Sequence, residues 1–172
     1  RQPLLITASE WLERFLYKNA DRVVVNSPGF IDHVQASGAK TIELVPNGAD
    51  TGMFDPRAKG LNFRLVNGLE ERFIALYAGA LGISNDLGIV ISAAKYTQEI
   101  NSEIMFVLIG DGKEKPTLQD RAEDLTLENL IFVPPAPKKH MPDVLAAADA
   151  CIAILKPIPL YATVYPNKVF DY

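Results

Sequence analysis

Apolar positions in this chain fall into short β-branched runs, separated by stretches in which they recur every three or four residues. Residues 7–20 open with Thr7, Ser9 and Glu10, good helix-start signals, and place Trp11, Leu12, Phe15 and Leu16 on one helical face. Arg22-Val-Val-Val-Asn26 reads as a buried strand, with Asn26-Ser-Pro-Gly29 as its punctuation. Phe30, Ile31, Val34 and Gln35 mark a short amphipathic helix ending at Gly38, a suitable C′ residue. Thr41-Ile-Glu-Leu-Val45 is a second strand, stopped by Pro46-Asn-Gly48. From Ala49 to Glu71 no period is sustained. Gly52, Pro56, Gly60 and Gly68 interrupt a stretch of mixed charge that reads as an interdomain linker or a wandering surface loop.

Beyond Glu71 the rhythm is regular. Strand Phe73–Tyr77 leads into Gly79-Ala-Leu-Gly82, and a helix follows with Leu87, Val90, Ile91 and Ala94 on one stripe. Strand Ile104–Ile109 ends at Gly110-Asp-Gly112. A polar helix runs through Leu118 to Asp124, strand Leu130–Val133 meets Pro134-Pro135, and helix Met141–Ala148 precedes strand Cys151–Leu155. Strands apolar on both faces and separated by helices imply an α/β fold, a Rossmann-like parallel sheet with helices on both faces. Right-handed crossovers place the loops after the strands along one edge of that sheet, where open α/β sheets bind ligands. The final segment opens a helix at Pro166, and Val169, Phe170 and Tyr172 begin an apolar face with no second turn to finish it. We therefore expect a piece of a longer protein.

Composition narrows the function classes. Hydrophobic residues make up 48% and charged residues 22%, the balance of a globular protein. No apolar run approaches the roughly 20 residues that cross a bilayer, and Arg1 to Glu10 lack the features of a signal peptide. The net charge is −4 and the 17 basic residues are scattered, which argues against nucleic-acid binding. Cys151 is the single cysteine, set in an apolar run, so it reads as a buried structural thiol and permits no internal disulfide, in keeping with a cytosolic setting. Two His and one Cys leave no structural zinc site.

Candidate chemistry lies in the strand-end loops. Gly79 and Gly82 sit between a strand and a helix, where glycines let backbone N–H groups approach an anion; a plain tight turn explains them equally well. Gly110 and Gly112 form a turn or flank a ligand. Pro134-Pro-Ala-Pro137 is stiff, and either walls a flat base or caps a strand. His140 reads as a surface residue. In the last loop Lys156, Tyr161, Tyr165 and Lys168 flank Thr163. Lys168 and the N–H groups near Asn167 suit phosphate, and Asp171 suits a ribose diol or merely complements the helix dipole.

In order, Asp21-Arg-Val-Val-Val-Asn-Ser27, Pro46-Asn-Gly-Ala-Asp50, Tyr77-Ala-Gly-Ala-Leu-Gly82, Leu108-Ile-Gly-Asp-Gly112, Ala146-Ala-Ala-Asp-Ala150 and Pro166-Asn-Lys-Val-Phe-Asp-Tyr172 resemble the landmarks of the family 4 (group 1) glycosyltransferases. These are retaining enzymes of the two-domain GT-B architecture. The resemblance implies a helix–strand–helix–strand remnant of the N-terminal domain over 1–51, a linker over 52–71, and a truncated nucleotide-sugar-binding domain over 72–172. It departs from the family where a cation pair normally meets the donor diphosphate, since Ala80 and Asn85 stand at those positions. Asn85 offers only a neutral hydrogen bond, which leaves Lys168 and helix N-terminal amides to stabilise the leaving nucleotide. The family's paired acids fall on Thr163 and Asp171, and the first charge is thus missing.

The resemblance further implies a nucleotide-sugar donor, with a UDP-sugar favoured, and a polysaccharide- or lipid-linked saccharide acceptor, as in bacterial-type polysaccharide biosynthesis. It implies no cofactor and no required metal. The donor site would comprise Gly79, Gly82, Asn85, Gly110, Gly112, Pro134, Thr163, Asn167, Lys168 and Asp171; no catalytic residue is assigned, and the piece is expected to be inactive alone. A cytoplasmic setting follows, with peripheral contact at the inner face of the membrane through the N-terminal region. A GT-B enzyme of the UDP-sugar 2-epimerase type and a non-catalytic α/β interaction domain are the alternatives. Strands 22–26 and 41–45 would carry unpaired edges, open to strand exchange between copies, to cover by the Trp11 helix, or to disorder.

Overall fold

A computed structural model describes residues 3–55 and 57–172; Pro56, read above as a breaker, and the first two residues lie outside the described part. Two compact units result. The first takes the chain up to Gly48 together with Pro157–Asn167, and the second takes Ala49–Lys156 with Lys168–Tyr172.

In the first unit, helix α1 (Pro3–Asn19) is followed by strand β1 (Val23–Val25), a turn at Pro28–Phe30, helix α2 (Ile31–Ala36) and strand β2 (Ile42–Leu44). The two strands pair in parallel, Val23 against Ile42 and Val25 against Leu44, with α2 as their crossover. Val25, Val34 and Ser27 are buried. The expectation of a strand buried on both faces fails at β1, where Val24 is exposed. Side chains alternate across a strand, so covering one face of this ribbon leaves Val24 on the other. The described residues show instead that the two strands pair with each other, which was not among the outcomes expected for these edges. The apolar side of α1 stays uncovered, with Trp11 stacked on Phe15 at 5.5 Å and both exposed.

The second unit is the larger. It comprises helix α3 (Leu61–Asn67), strand β3 (Phe73–Ala78), helix α4 (Gly88–Ile100), strand β4 (Ile104–Ile109), helix α5 (Lys115–Asp124), strand β5 (Leu130–Val133), helix α6 (Met141–Ala146), strand β6 (Ala150–Cys151) and the short helix α7 (Lys168–Asp171). The four strands form one parallel sheet in the order β5-β4-β3-β6. Alternation along the strands builds a core on each face. Ala75, Tyr77, Phe106 and Leu108 pack under Leu87, Val90, Ile91 and Ala94 of the α4 stripe and under Leu118 and Ala122 of α5. Ile74, Leu76, Met105 and Val107 pack against Phe63, Leu69, Val144 and Ala147 on the α3 and α6 side. At roughly 1.5–3 kcal/mol per fully buried large apolar side chain, this double layer is the main stabilising term of the unit.

The structure differs from the expected linker over 52–71. That segment carries α3, and Gly60 and Gly68 are its two ends. A Cβ on Gly60 would sit 2.2 Å from the Ala147 nitrogen, so the glycine lets the start of α3 lie against α6. A helix of seven residues has too few turns to show a period. The compact units part at Gly48 and Ala49, and the segment Pro157–Asn167 returns to the first. The final strand is also shorter than Cys151–Leu155, since regular pairing with β3 stops at Cys151.

Asp149 joins three elements of this unit. Its Oδ2 accepts the Ile74 N–H at 2.7 Å and Arg64 Nη2 of α3 at 2.7 Å, while Arg64 Nη1 donates to the Arg72 carbonyl at 2.9 Å. Burial pushes the carboxyl up, but the Ile74 N–H and the Arg64 guanidinium outweigh it and hold Asp149 below its ordinary 3.8. A lowered carboxyl contributes stability above its unfolded value and loses it as pH falls through the folded one. Asp149→Ala should therefore cost about 1–3 kcal/mol in urea denaturation at pH 7. The gap between wild type and variant should narrow below about pH 4.

Candidate functional site

Chain direction reverses around β3: the chain runs from β3 outward to β4 and β5, then returns to add β6 on the other side. In open α/β sheets such a reversal opens a crevice at the carboxyl ends of the two diverging strands, here β3 and β6. β6 pairs only with Ala75 and Leu76, and the Ile152 N–H adds one more bond to the Leu76 carbonyl at 2.7 Å. One pleat further on, Ala78 pairs with Ile109 of β4 but has no strand on its β6 side. The Tyr172 hydroxyl takes the place of a strand there, accepting the Ala78 N–H at 3.0 Å and donating to the Ala78 carbonyl at 3.3 Å.

Tyr172 is also the hinge pin of α7. Its own N–H bonds to the Lys168 carbonyl at 3.0 Å, which sets Lys168 one turn away. The Lys168 ammonium lies 3.7 Å from the centroid of the Tyr77 ring and would be 3.0 Å from a Cβ on Gly79. It makes no ion pair among the described residues. Burial drives its pKa down from 10.5 to about 8. Burial likewise pushes the Tyr77 phenol well above its usual range and that of Tyr172 up to about 12, so both rings are neutral near pH 7.

The Gly79–Gly82 turn is held from beneath. The Ala80 carbonyl accepts Tyr77 Oη at 2.7 Å and Asn85 Nδ2 at 2.9 Å. Asn85, expected to face phosphate, therefore spends one amide hydrogen on the loop itself. The turn also stacks on the 110–114 loop: Leu81 N–H bonds to the Asp111 carbonyl at 2.8 Å, and Glu114 N–H to the Leu81 carbonyl at 3.0 Å. A Cβ on Gly110 would lie 1.9 Å from the Gly79 oxygen, and one on Gly112 would lie 2.3 Å from the Leu81 oxygen. These two glycines serve the approach of one loop to the other. Gly82 has no such crowding, its nearest neighbour for a Cβ being Asn85 Nδ2 at 3.9 Å.

Gly79, Ala80, Gly110 and Asp111 line a cavity of about 370 Å³ together with Pro135, Ala136 and Met141. Of the proline run, Pro135 and Ala136 face this cavity and Pro134 does not. Asp171 lines a second cavity of about 530 Å³, shared with Phe54, Pro142, Leu145 and Tyr172. The two cavities adjoin at α6, where Met141 lines one and Pro142 the other, and at the Ala78–Tyr172 bonds. Thr163 and Asn167 belong to the first unit. There the Thr163 carbonyl accepts the Ser27 hydroxyl, its side chain fills the space beside Gly29, and Asn167 Oδ1 accepts Asn47 Nδ2. Pro135 and Ala136 belong to the run read above as a wall for a base or a strand cap, whereas Tyr77, Tyr172 and Met141 escaped the sequence reading as site residues, although Tyr77 and Tyr172 stand inside quoted landmarks. His140 is exposed, as expected. Cys151 is half-buried, and burial raises its thiol. Among the described residues no group of His, Cys, Asp and Glu is placed to hold a metal ion, and no helix is long and apolar enough to cross a membrane.

The family model described as "Glycosyl transferases group 1" matches residues 62–156, more than half of the chain and all four strands of the larger sheet. The chain belongs to the group 1 glycosyl transferases. The sulfoquinovosyl transferase SQD2 of Arabidopsis thaliana is 29% identical over 111 residues, which are 62% of this chain and 21% of that protein. HepE of Anabaena, solved in complex with UDP and glucose, superposes with a TM-score of 0.74 at 18% identity, over 86% of this chain and 42% of that one. Sucrose-phosphate synthase of Thermosynechococcus elongatus gives 0.70 at 20% identity, over 86% and 38% respectively. The α/β, Rossmann-like GT-B expectation thus holds, and this chain spans less than half of each of these relatives.

The stacked loops of this group 1 family member yield a direct test of which glycines shape the fold. Gly110→Ala should cost more than about 2 kcal/mol in denaturant titration, because the new methyl meets backbone rather than a mobile side chain. Gly82→Ala should stay within about 0.5 kcal/mol of wild type in the same measurement.

Proposed function

We propose that the second unit binds the donor of a retaining glycosyltransferase, a UDP-sugar, for transfer to a polysaccharide- or lipid-linked saccharide acceptor. The observation that carries this reading is the Lys168 ammonium, half-buried and without a carboxylate, set beside Gly79 at the crevice between β3 and β6. A cation so placed is a partner for the donor diphosphate, and it offsets the missing charges at Ala80 and Asn85. The base lies against Pro135, Ala136 and Met141 in the 370 Å³ cavity, a size that suits a small ligand. Asp171, across the Ala78–Tyr172 ridge, takes the ribose. Family membership and the UDP and glucose bound in HepE support a nucleotide-sugar donor. In this reading Gly79, Gly82 and Lys168 act on the diphosphate, whereas Gly110 and Gly112 act through the loop they allow. The reaction requires no metal, and the protein works on the cytoplasmic side of a bacterial-type membrane with peripheral contact.

Calorimetry with UDP and with uridine tests the assignment. Lys168→Ala should weaken UDP by tenfold or more, as expected for losing a charge-assisted contact of about 1.5–3 kcal/mol. Uridine, which lacks phosphate, should bind both proteins alike. UDP binding that ignores the substitution would overturn the reading. The ammonium is the binding form and gives way to the neutral amine above about pH 8, so UDP affinity should fall as pH rises through that value. The pH dependence should vanish in Lys168→Ala.

A further inference from the structure

We propose that Tyr77 is the positioning residue of the donor site, its ring presenting the Lys168 ammonium to the diphosphate while its hydroxyl fixes the Gly79–Gly82 turn opposite. The inference rests on the donor reading above and assigns a residue that the reading leaves in the core. Tyr77 is completely buried, and both its ring face and its hydroxyl make contacts at the site. The π face carries the ammonium at 3.7 Å, well inside the roughly 6 Å reach of a cation–π contact, and such contacts strengthen as water is removed. The phenolic hydroxyl donates to the Ala80 carbonyl at 2.7 Å, which turns that carbonyl inward beside Asn85 Nδ2.

One side chain thus sets the spacing between the cation and the turn. Lysine on a flexible stem is a poorly oriented charge, and only a surface beneath it restricts where the ammonium sits. No acid does this here, since Lys168 has no ion pair among the described residues. The titratable groups around it are Tyr77 of β3, Asp171 and Tyr172 at its own end of the chain, and Cys151 of β6 behind Tyr172. Tyr77, Tyr172 and Cys151 are all held neutral by burial and Asp171 forms no ion pair with Lys168, which leaves the ring quadrupole as the direct contact that favours the charged lysine. The arrangement has a mechanical consequence: Tyr172 locks α7 to Ala78, Tyr77 stands in the same strand one residue earlier, and cation and turn therefore move as one body with β3.

The test grades the ring without removing it. In Tyr77→Phe, position 77 is further replaced by phenylalanines carrying one, two and three ring fluorines, which weaken the π face at nearly constant shape. Lys168 is titrated by NMR through its ε-carbon, and UDP and uridine affinities are measured at pH 8. The Lys168 midpoint should fall with each fluorine and UDP affinity should fall with it, by tenfold or more across the series, while uridine stays flat. Tyr77→Phe alone should keep the ring-current shift of the lysine and lose about threefold in UDP affinity with the Ala80 bond. A midpoint unmoved by fluorination, or UDP affinity that holds or rises across the series while Lys168→Ala still weakens UDP, overturns the role of Tyr77. If Lys168→Ala leaves UDP unchanged while fluorination still moves the lysine midpoint, the donor reading fails and the ring–cation pairing stands.

Discussion

The second edge of β3 must be satisfied along its whole length, and three different devices do so. A buried backbone N–H or C=O without a partner costs about 1–3 kcal/mol, so each position on that edge demands a solution. At the start, Ile74 is met by the Asp149 carboxylate and main chain; in the middle, Leu76 is met by β6 and Ile152; at the end, Ala78 is met by the Tyr172 hydroxyl. A full-length strand would have satisfied all three and closed the sheet. A strand of two residues leaves the carboxyl end open, with a side chain in place of backbone. The crevice at the strand-order reversal is therefore a consequence of how little of β6 pairs.

That substitution governs the site. Because Tyr172 bonds to Ala78, α7 is fixed on β3 and Lys168 is delivered over Tyr77, the residue before Ala78. Because the Tyr77 hydroxyl reaches Ala80, the turn after β3 is held from the same ring. Gly110 and Gly112 then allow the next loop to press against that turn. Helix α7, the turn after β3 and the 110–114 loop thus share one rigid reference, the end of β3. Sites built on strand ends keep their geometry better than sites carried by loops alone.

Much of this fold is legible in the sequence because it rests on local periodicity. The α4 stripe of Leu87, Val90, Ile91 and Ala94 and the apolar runs of β3 and β4 announce themselves; the stripe is buried, and each strand is buried beyond its first residue. Where the reading fails, the cause is physical. Seven residues of α3 are too few to repeat an apolar face, and its capping glycines resemble loop residues. The apolar run of β1 looks like an interior strand, yet Val24 is exposed because only one face of the two-stranded ribbon is covered. At the site, glycines were visible but not their purpose: Gly110 and Gly112 answer to carbonyls about thirty residues away, a distance no local pattern encodes. The bonds of Tyr172 to Ala78 and of Asp149 to Ile74 join side chain to backbone across 94 and 75 residues, and periodicity carries no trace of them.

The departures at Ala80 and Asn85 read differently once Lys168 is placed. Two exposed cations would each be strongly hydrated, and a diphosphate would have to displace that water to gain from them. One cation half-removed from water has already lost part of its hydration on folding, so its attraction for an incoming anion acts in a lower dielectric. The cost appears in the folded chain as an ammonium whose proton is loosely held and which rests on the face of a tyrosine with no ion pair among the described residues. A carboxylate beside it would remove that cost and, with it, the affinity for phosphate. In the proposed donor site the absence of an acid partner is thus as functional as the lysine, and Tyr77 is the neighbour that can stabilise the charge without neutralising it.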